Sequence, residues 1–357
     1  MFRLQENYNT TVLELLSECN SEDEREETLR KLGESMPEIC NEIADDILDT
    51  VKKDAFSGRQ EENRQIIRGF EGRLRDLWGK PLDMLELFIG LALEAGSAFN
   101  IENRDDASKA NDYVFYALIR LHARACQVSS AILLLLKSGY ADDAYARWRS
   151  LHEIAVVSSF ISQHGQELAE RYLLHEVIQQ YKLACEHRNY QSRISEEPIP
   201  QEEFDILERR RKDLLDRFGN QFKEDYGWAA IELGVARTNF RAIEEQTGLD
   251  HLRPYYKMAS DNVHANSHGT NHRLGSYLFK EKVLLAGPSS ASLADPGHST
   301  AISLSQTTTI LLSTRVSVDA IVVMRILANL VDEIGDSFLR AHHQHRNAAS
   351  KRSDSEA

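Results

Sequence analysis

Four ionisable side chains lie within one short stretch whose flanks are apolar. The stretch RWRSLHE contains Arg147, Arg149, His152 and Glu153, and residues such as alanine, isoleucine and valine precede and follow it. A helix that is apolar on all sides is normally enclosed by its neighbours. A charged group inside such an enclosure is costly unless it is paired or hydrogen-bonded. We therefore expect partners for these four side chains on another helix.

Two interpretations of these four residues remain open. In the first, the charges form a buried network that ties helices together: Arg149 and Glu153 are one helical turn apart and can pair, while Arg147 needs a partner elsewhere. In the second, the charges line a cleft in which Arg147 and Arg149 bind an anionic group and His152 or Glu153 transfers a proton. The first interpretation predicts a structural role, and the second predicts substrate binding and catalysis.

A second group of polar residues follows a four-residue spacing. Ser260, His264, His268 and His272 would lie along one edge of a helix if that helix continued, although Gly269 favours a helix end near His268. His264 would then serve as a further catalytic acid or base, with Ser260 and His268 binding the substrate. Imidazoles one turn apart can also share a divalent metal, a weaker alternative for His264 and His268, because no complete ligand set such as HExxH accompanies them. Structural histidines are the third interpretation, and no cofactor is expected.

The composition favours an all-α protein. The 357 residues include only seven prolines and eighteen glycines, which favours long helices over many turns. The formal net charge is −14, so RNA would need a local basic pocket, and attraction to a membrane surface is not expected. A protein partner or a second copy of the chain is the other expected class of partner.

Cysteine usage and the start of the chain predict a cytoplasmic protein. The four cysteines have no CxxC spacing, which is typical of free thiols in a reducing compartment. No basic segment followed by an apolar run opens the chain, and no run of about eighteen apolar residues is evident.

The charged and apolar patterns divide the chain into three parts. Residues 1–57 carry fifteen acidic and six basic residues, with an apolar four-residue spacing from Ile39 to Val51, and this predicts an acidic helical N-terminal region. Residues 60–345 are expected to form a multi-helix bundle. Residues 346–357 are expected to be a disordered polar tail.

Cap and turn residues set the expected helix ends within the bundle. A helix is expected over 61–99 with a break near Gly79 and Pro81, followed by a linker ENRDDASKAND and a helix over 113–137 that Gly139 ends. The next helix begins at Asp142 and Asp143 and runs to about Ser162. A third helix is expected from Gln166 to about Arg193, and a last helix from Ser299 to about His343. A Gly/Pro/Ser-rich loop near 280–298 precedes the last helix, with a short hairpin as an alternative.

The pair Arg147 and His152 has the spacing R-x4-H, which also occurs at Arg340 and His345. This spacing resembles the signature of the higher-eukaryote and prokaryote nucleotide-binding superfamily of helical ribonucleases, which is found in many bacterial toxins and defence proteins. The resemblance implies metal-independent cleavage of RNA, in which the arginine and the histidine act on the 2′-hydroxyl and the scissile phosphate, usually across a dimer.

A wider resemblance covers about residues 110–335. The apolar helix ending LLLLKSGYADDAYARWRSLHE, the segment SDNVHANSHG and the loop AGPSSASLADPG before a final apolar helix resemble the bacterial family named domain of unknown function 5677. Such proteins are often associated with accessory and defence genes, and the family implies no particular activity. The resemblance supports these polar positions: Arg147, Arg149, Glu153, Ser260 and His264.

Two functional hypotheses follow. The leading one is a metal-independent nuclease or related phosphodiester enzyme of a defence or toxin type, with arginines that bind phosphate and a histidine that acts as general acid or base. The alternative is a non-catalytic helical module that binds a protein or a small ligand and uses the Arg/Glu/His cluster as a structural network.

Overall fold

The computed structural model is an all-α multi-helix bundle, which confirms the predicted fold class. No strand occurs in the part of the chain that the structure describes. The described residues are 4–54, 58–235, 238–264, 267–271, 274–276 and 284–355, with side chains as far as residue 348.

The helices are numbered in chain order. They are α1 (Leu4–Glu18), α2 (Glu22–Asp54), α3 (Gln60–Ala110), α4 (Tyr113–Lys137), α5 (Ala141–His164), α6 (Gln166–Leu174), α7 (Glu176–Ile194), α8 (Gln201–Phe218), α9 (Ala230–Leu233), α10 (Phe240–Thr247), α11 (Arg253–Asp261), α12 (Ser267–Asn271), α13 (Ala294–Ser313) and α14 (Val318–Ser355). Short 3-10 turns at Asn220–Lys223, Gly227–Ala229, Asp250–Leu252 and Leu274–Ser276 connect the later helices.

The chain forms two compact units, Met1–Phe70 and Glu71–Ala357. In the first unit, none of the described residues of α1 or α2 is buried. Apolar side chains such as Leu29, Ile43 and Val51 are exposed there. The three-part division that the sequence suggests stays a prediction.

Long helices form the core of the second unit. Helix α5 packs against α4 and α13, and α13 packs in turn against α4 and α14. The α5 side chains Trp148, Leu151 and Phe160 are fully buried, as expected for a helix with apolar residues on all sides. The short helices α10 and α11 also pack on α5. RWRSLHE therefore lies within the bundle and has neighbours that can supply partners.

Helix α4 begins and ends where the sequence predicts. The Asp112 carboxylate accepts a hydrogen bond from the Phe115 backbone N–H at 3.0 Å and so caps the first turn. Beyond the other end, Gly139 has φ = +80°, a conformation that glycine adopts without strain. Both signals act within one helical turn, which explains why they can be predicted from the sequence.

The predicted break near Pro81 is wrong. Helix α3 continues through Gly79 and Pro81, and both residues are buried. Burial of the proline ring helps to offset the backbone hydrogen bond that proline cannot donate. The helix also includes most of the predicted linker ENRDDASKAND, and it ends only before Asn111, where φ is +51°.

The predicted cap of α5 by Asp142 is also wrong. The helix begins at Ala141 and has no side-chain cap hydrogen bond. The Asp142 carboxylate instead accepts hydrogen bonds from the backbone N–H groups of Leu274 and Gly275, at 2.8 and 3.1 Å. A contact with residues more than a hundred positions away in the sequence has replaced the local helix cap.

The predicted third helix is divided into α6 and α7 at His175. The His175 side chain bonds through Nε2 to the backbone carbonyl of Glu224, at 2.8 Å. Residue 175 therefore serves as an anchor for the 3-10 turns that follow α8. Sequence periodicity alone does not reveal this contact.

The predicted last helix is likewise two helices. Residues 314–317 separate α13 from α14, and α14 continues to Ser355, beyond the predicted end near His343. Helix α13 begins at Ala294, so Pro296 lies in its first turn, where proline is tolerated. The loop predicted near 280–298 therefore ends at 293, and its described part, 284–293, contains no strand of the alternative hairpin.

Two helices, α3 and α4, are long and apolar enough to span a membrane by length and composition alone. The core helix of a soluble protein passes the same test, and half of the apolar window of α4 is buried inside the protein. The finding is weak evidence for a membrane span, and the localisation stays a prediction.

Candidate functional site

His152 lies at the centre of a buried polar network between α5, α10 and α11. Its Nε2 donates to Glu244 Oε1 at 2.8 Å, and Arg253 donates to the second carboxylate oxygen at 2.5 Å. The side chains of His152 and Glu244 are fully buried, whereas 37% of the Arg253 side chain is exposed. Three helices are thus joined through one carboxylate.

The Glu244 carboxyl depends on both of its partners. Burial raises its pKa, but the hydrogen bonds from His152 and Arg253 outweigh burial and bring the pKa below its ordinary value. Loss of such partners would leave the buried carboxylate uncompensated, and this strongly destabilises the folded protein. The three side chains should therefore be treated as one unit.

Aromatic rings fix the position of His152. Its ring stacks on Trp148 with 5.4 Å between centroids, and Trp148 stacks on Tyr145 at 5.2 Å. The Trp148 indole N–H donates to the Ser299 carbonyl and the Ser303 hydroxyl, at 2.9 and 3.0 Å. Among the described residues, the buried Nδ1 of His152 has no hydrogen-bond partner. The imidazole is therefore held in place but closed off from solvent.

A second network, centred on the residue of α5 that follows His152, is partly open to solvent. Glu153 Oε1 accepts hydrogen bonds from Arg149 Nε at 3.1 Å and from the Tyr256 hydroxyl at 2.5 Å. The Arg149 guanidinium also lies 4.9 Å from the centre of the Tyr256 ring, within cation–π distance. Burial and the Glu153 carboxylate raise the pKa of Tyr256, so the phenol is a neutral donor. The pairing of Arg149 with Glu153 that their spacing predicts is present.

Arg147 belongs to neither network. Its side chain is partly buried, and it makes no hydrogen bond or ion pair within the part of the chain that the structure describes. The arginine and the histidine of the R-x4-H pair are therefore in different environments. His152 is enclosed by aromatic rings, and Arg147 lies outside that enclosure.

A basic pocket of about 430 Å³ lies beside the two networks, on α10 and α11. Its lining residues are Arg241, Arg253, Tyr256, Lys257 and Ser260, and this set is called the basic pocket below. Arg241 pairs with Glu245 at 2.7 Å, and the Arg253 NH1 group bonds to Glu244. Ser260 donates its hydroxyl proton to the Tyr256 carbonyl at 2.7 Å. Two members of the networks therefore form part of the wall of this pocket.

The predicted histidine edge is interrupted. Helix α11 ends at Asp261, so Ser260, His264 and His268 do not lie on one continuous helix, and His272 lies outside the described residues. Asn262 ends the helix, since its backbone N–H bonds back to the Ala259 and Ser260 carbonyls. Helix α11 therefore ends before the helix end near His268 that Gly269 predicts.

His264 and His268 are surrounded by carboxylates rather than arginines. His264 lines a cavity of about 290 Å³ together with Asp142, Asp143 and Asp261, and none of the described lining residues is basic apart from this histidine. His268 Nδ1 lies 3.3 Å from Asp261 Oδ2. Within the described residues, no three acidic, histidine or cysteine side chains are grouped so that they could hold a metal ion. The structure therefore brings Arg149, His152 and Glu153 together around α10 and α11, and it separates them from His264.

Glu244, Arg253 and Tyr256 are central to the site, although the sequence analysis did not select them. Glu244 and Glu245 are adjacent and chemically alike, yet the first is fully buried and half of the second is exposed. The apolar pattern of α10 contains a usable signal, because Glu244 follows Ile243 and lies one turn after Phe240, and both are buried. A carboxylate on a buried helix face predicts a cationic partner.

The fold and the site define an all-α bundle with a buried Arg/Glu/His network beside a basic pocket. Residues 115–278 match the model of a family described as "Family of unknown function (DUF5677)". The resemblance predicted over 110–335 is thereby confirmed for 115–278. No curated protein and no solved structure matches the chain. Both networks and the basic pocket lie within the matched segment, whereas α13 and α14 lie outside it.

Proposed function

We propose that the chain is a helical binding module for a small phosphate-bearing ligand, which the basic pocket would hold. The observation that carries the proposal is the grouping of Arg241, Arg253 and Lys257 around one cavity, in a protein whose formal net charge is −14. The volume of about 430 Å³ is in the range of small-ligand sites. A local group of cations within an acidic protein favours a small anionic ligand over an extended polyanion.

The states of Arg253 and Lys257 support phosphate recognition. The Arg253 guanidinium uses NH1 for Glu244, which orients the group and leaves its other N–H donors for a ligand. Lys257 is exposed, and its ammonium has no ion pair within the described residues. In this proposal the buried His152–Glu244–Arg253 network is a positioning device, because it holds Arg253 at the pocket wall.

The proposal predicts that pyrophosphate, used as a probe, binds to the full chain and binds less tightly when pocket charge is removed. The double variant R241Q/K257Q should weaken binding about tenfold, since charge-assisted hydrogen bonds contribute most of the affinity. Isothermal titration calorimetry measures the change. The matched control is K212Q, which removes an exposed charge from α8; equal affinity for the wild type, the control and the double variant would contradict the proposal.

A second candidate function is a metal-independent nuclease or phosphodiester enzyme of the defence or toxin type. One observation favours it: Arg149, Glu153 and Tyr256 form a partly exposed array, and Tyr256 also lines the basic pocket. A phosphate in the pocket would lie near a carboxylate and a neutral phenol, which are groups that can transfer protons. In this candidate function, Glu153 would act rather than the enclosed His152.

An RNA cleavage assay separates the two functions. The wild-type chain and an E153Q variant are incubated with mixed RNA in the presence of a chelator, and RNA length is followed on a gel. Cleavage by the wild type that is lost in the variant supports the nuclease. Intact RNA in both samples, together with pyrophosphate binding, eliminates the nuclease and leaves the binding module.

A further inference from the structure

A cavity of about 450 Å³ lies between α5, α13 and α14. Helix α13 supplies much of its wall, and the other described lining residues are Ser159, Leu249, Ala328, Val331 and Asp332. None of the described residues that line the basic pocket also lines this cavity. The cavity is therefore separate from the proposed phosphate site, and nothing in the proposed function makes use of it.

The hydroxyl groups of α13 fall into two sets. On the buried face, Thr300, Thr307 and Thr308 each donate to the backbone carbonyl four residues earlier, at 2.6, 2.9 and 2.8 Å. Ser305 and Thr309 line the cavity instead, and their hydroxyls make no hydrogen bond among the described residues. The helix therefore satisfies its threonine hydroxyls on the core side and leaves the hydroxyls on the cavity side available to a ligand.

Gln306, which also lines the cavity, has an unsatisfied side-chain amide. Its Oε1 is buried and has no hydrogen-bond partner among the described residues, and its Nε2 makes no hydrogen bond there either. Buried polar atoms are normally satisfied. Rotation about the Cγ–Cδ bond exchanges the two ends of the amide, so the group can offer an acceptor or a donor to a molecule in the cavity. The unsatisfied amide in the wall therefore points to an occupant that carries both a donor and an acceptor.

The apolar part of the wall indicates the rest of the ligand. Leu249, Ile302, Ile310 and Val331 line the cavity, so most of an occupant would lie against hydrocarbon. A mostly apolar wall with a few polar groups, at a volume of about 450 Å³, is typical of a small-molecule site.

The charge of the wall favours an uncharged ligand. Among the described lining residues, Asp332 alone is charged, and it repels an anion. Asp332 is also exposed, so a cation would gain little from pairing with it. The ligand of this cavity therefore differs in class from the phosphate-bearing ligand of the basic pocket.

We propose that this cavity binds a small uncharged molecule with an apolar body and an amide-like edge, which is an N–H donor beside a carbonyl acceptor. The edge pairs with the Gln306 amide, and the Ser305 and Thr309 hydroxyls bond to its remaining polar positions. The apolar body lies against the isoleucine, leucine and valine side chains of the wall. The site is independent of phosphate binding in the basic pocket.

Quinolin-2-one is a suitable probe, because its apolar bicyclic ring carries an N–H beside a carbonyl. Its N-methyl derivative keeps the ring and the carbonyl but lacks the donor. Ligand-observed nuclear magnetic resonance with the full chain measures both dissociation constants. The wild type should bind quinolin-2-one about fivefold more tightly than the derivative, since a lost donor leaves the Gln306 carbonyl unpaired. The variant Q306L should bind the two compounds equally, whereas a steric effect of the methyl group would persist in this variant.

A second pair of variants tests the location. Ala328 is an exposed lining residue of α14, so A328W should leave the fold intact, fill the cavity and weaken quinolin-2-one binding at least about tenfold. The control N329W adds the same ring at an exposed neighbouring position that does not line the cavity, and it should bind like the wild type.

Four results would overturn the proposal: no binding of quinolin-2-one to the wild type, equal affinity of the wild type for the two compounds, a difference that persists in Q306L, or equal binding by A328W and N329W. Light scattering tests a different occupant. A dimer that A328W dissociates and N329W does not would mean that a second copy of the chain covers the cavity, and the small-molecule site would be wrong. Pyrophosphate binding should be unaffected by A328W, so failure of this site is distinguishable from failure of the basic pocket.

Discussion

Replacing His152 with alanine is expected to lower the free energy of unfolding by about 3 kcal/mol. The fully buried imidazole donates to Glu244 at 2.8 Å and stacks on Trp148. Its removal leaves a cavity and takes one of the two hydrogen-bond partners from a buried carboxylate, which Arg253 alone then has to compensate. Urea unfolding followed by circular dichroism measures the loss.

The matched control for this experiment is H264A. His264 is exposed, and loss of its side chain should change the free energy of unfolding by no more than about 0.5 kcal/mol. A cycle with H152A, E244A and the double variant would then isolate the coupling between the buried partners. If H152A were as stable as the wild type, the assignment of His152 to a structural network would be untenable, and a catalytic role would regain support.

The position of RWRSLHE within the bundle was predictable because it depends on the chain's own pattern. Apolar residues flank Arg149 and His152 on all sides of the helix. Such a helix has to be enclosed by other helices, whichever these are. The identity of the partners is a different kind of information. Glu244 and Tyr256 are about a hundred residues away in the sequence, and their approach depends on how α10 and α11 pack on α5. Local patterns therefore predict that a partner is needed but do not identify it.

The wrong predictions have the same physical origin. Pro81 and Asp142 each carry a strong local preference, the first for a helix start and the second for a helix cap. In the folded chain Pro81 is buried inside a continuous helix, and Asp142 binds the backbone at Leu274 and Gly275. Tertiary contacts outweighed a local preference at both positions. Where no such contact competes, as at Gly139, the local signal holds.

His122 provides the clearest pH dependence. Only 2% of this residue is exposed, and burial lowers its pKa from 6.5 to about 4. The Thr308 hydroxyl donates to the Leu304 carbonyl at 2.8 Å, so it accepts from the Nε2–H of His122, 3.0 Å away. Cys126 Sγ lies 3.8 Å from Nδ1 and can donate weakly to it. The neutral ring is satisfied in this position, and no carboxylate among the described residues offsets the burial of the charged ring.

The sign of the effect follows from the two pKa values. Between pH 6.5 and about pH 4 the unfolded chain binds a proton at residue 122 that the folded chain does not bind. The stability contributed by the neutral ring is therefore fully present above pH 6.5, and about 3 kcal/mol of it is lost as the pH falls through this range. The variant H122Q keeps a donor to Thr308 but cannot titrate, so its free energy of unfolding should fall about 3 kcal/mol less than that of the wild type over the same pH interval.

Urea unfolding at a series of pH values tests this difference. His175 and His298 also have lowered pKa values and contribute in the same direction, but they are present in both proteins and cancel in the comparison. H251Q removes an exposed imidazole and should leave the pH profile of the wild type unchanged. Parallel profiles for the wild type and H122Q would mean that the folded protein accepts a proton at residue 122 without cost, which is incompatible with a buried, carboxylate-free environment.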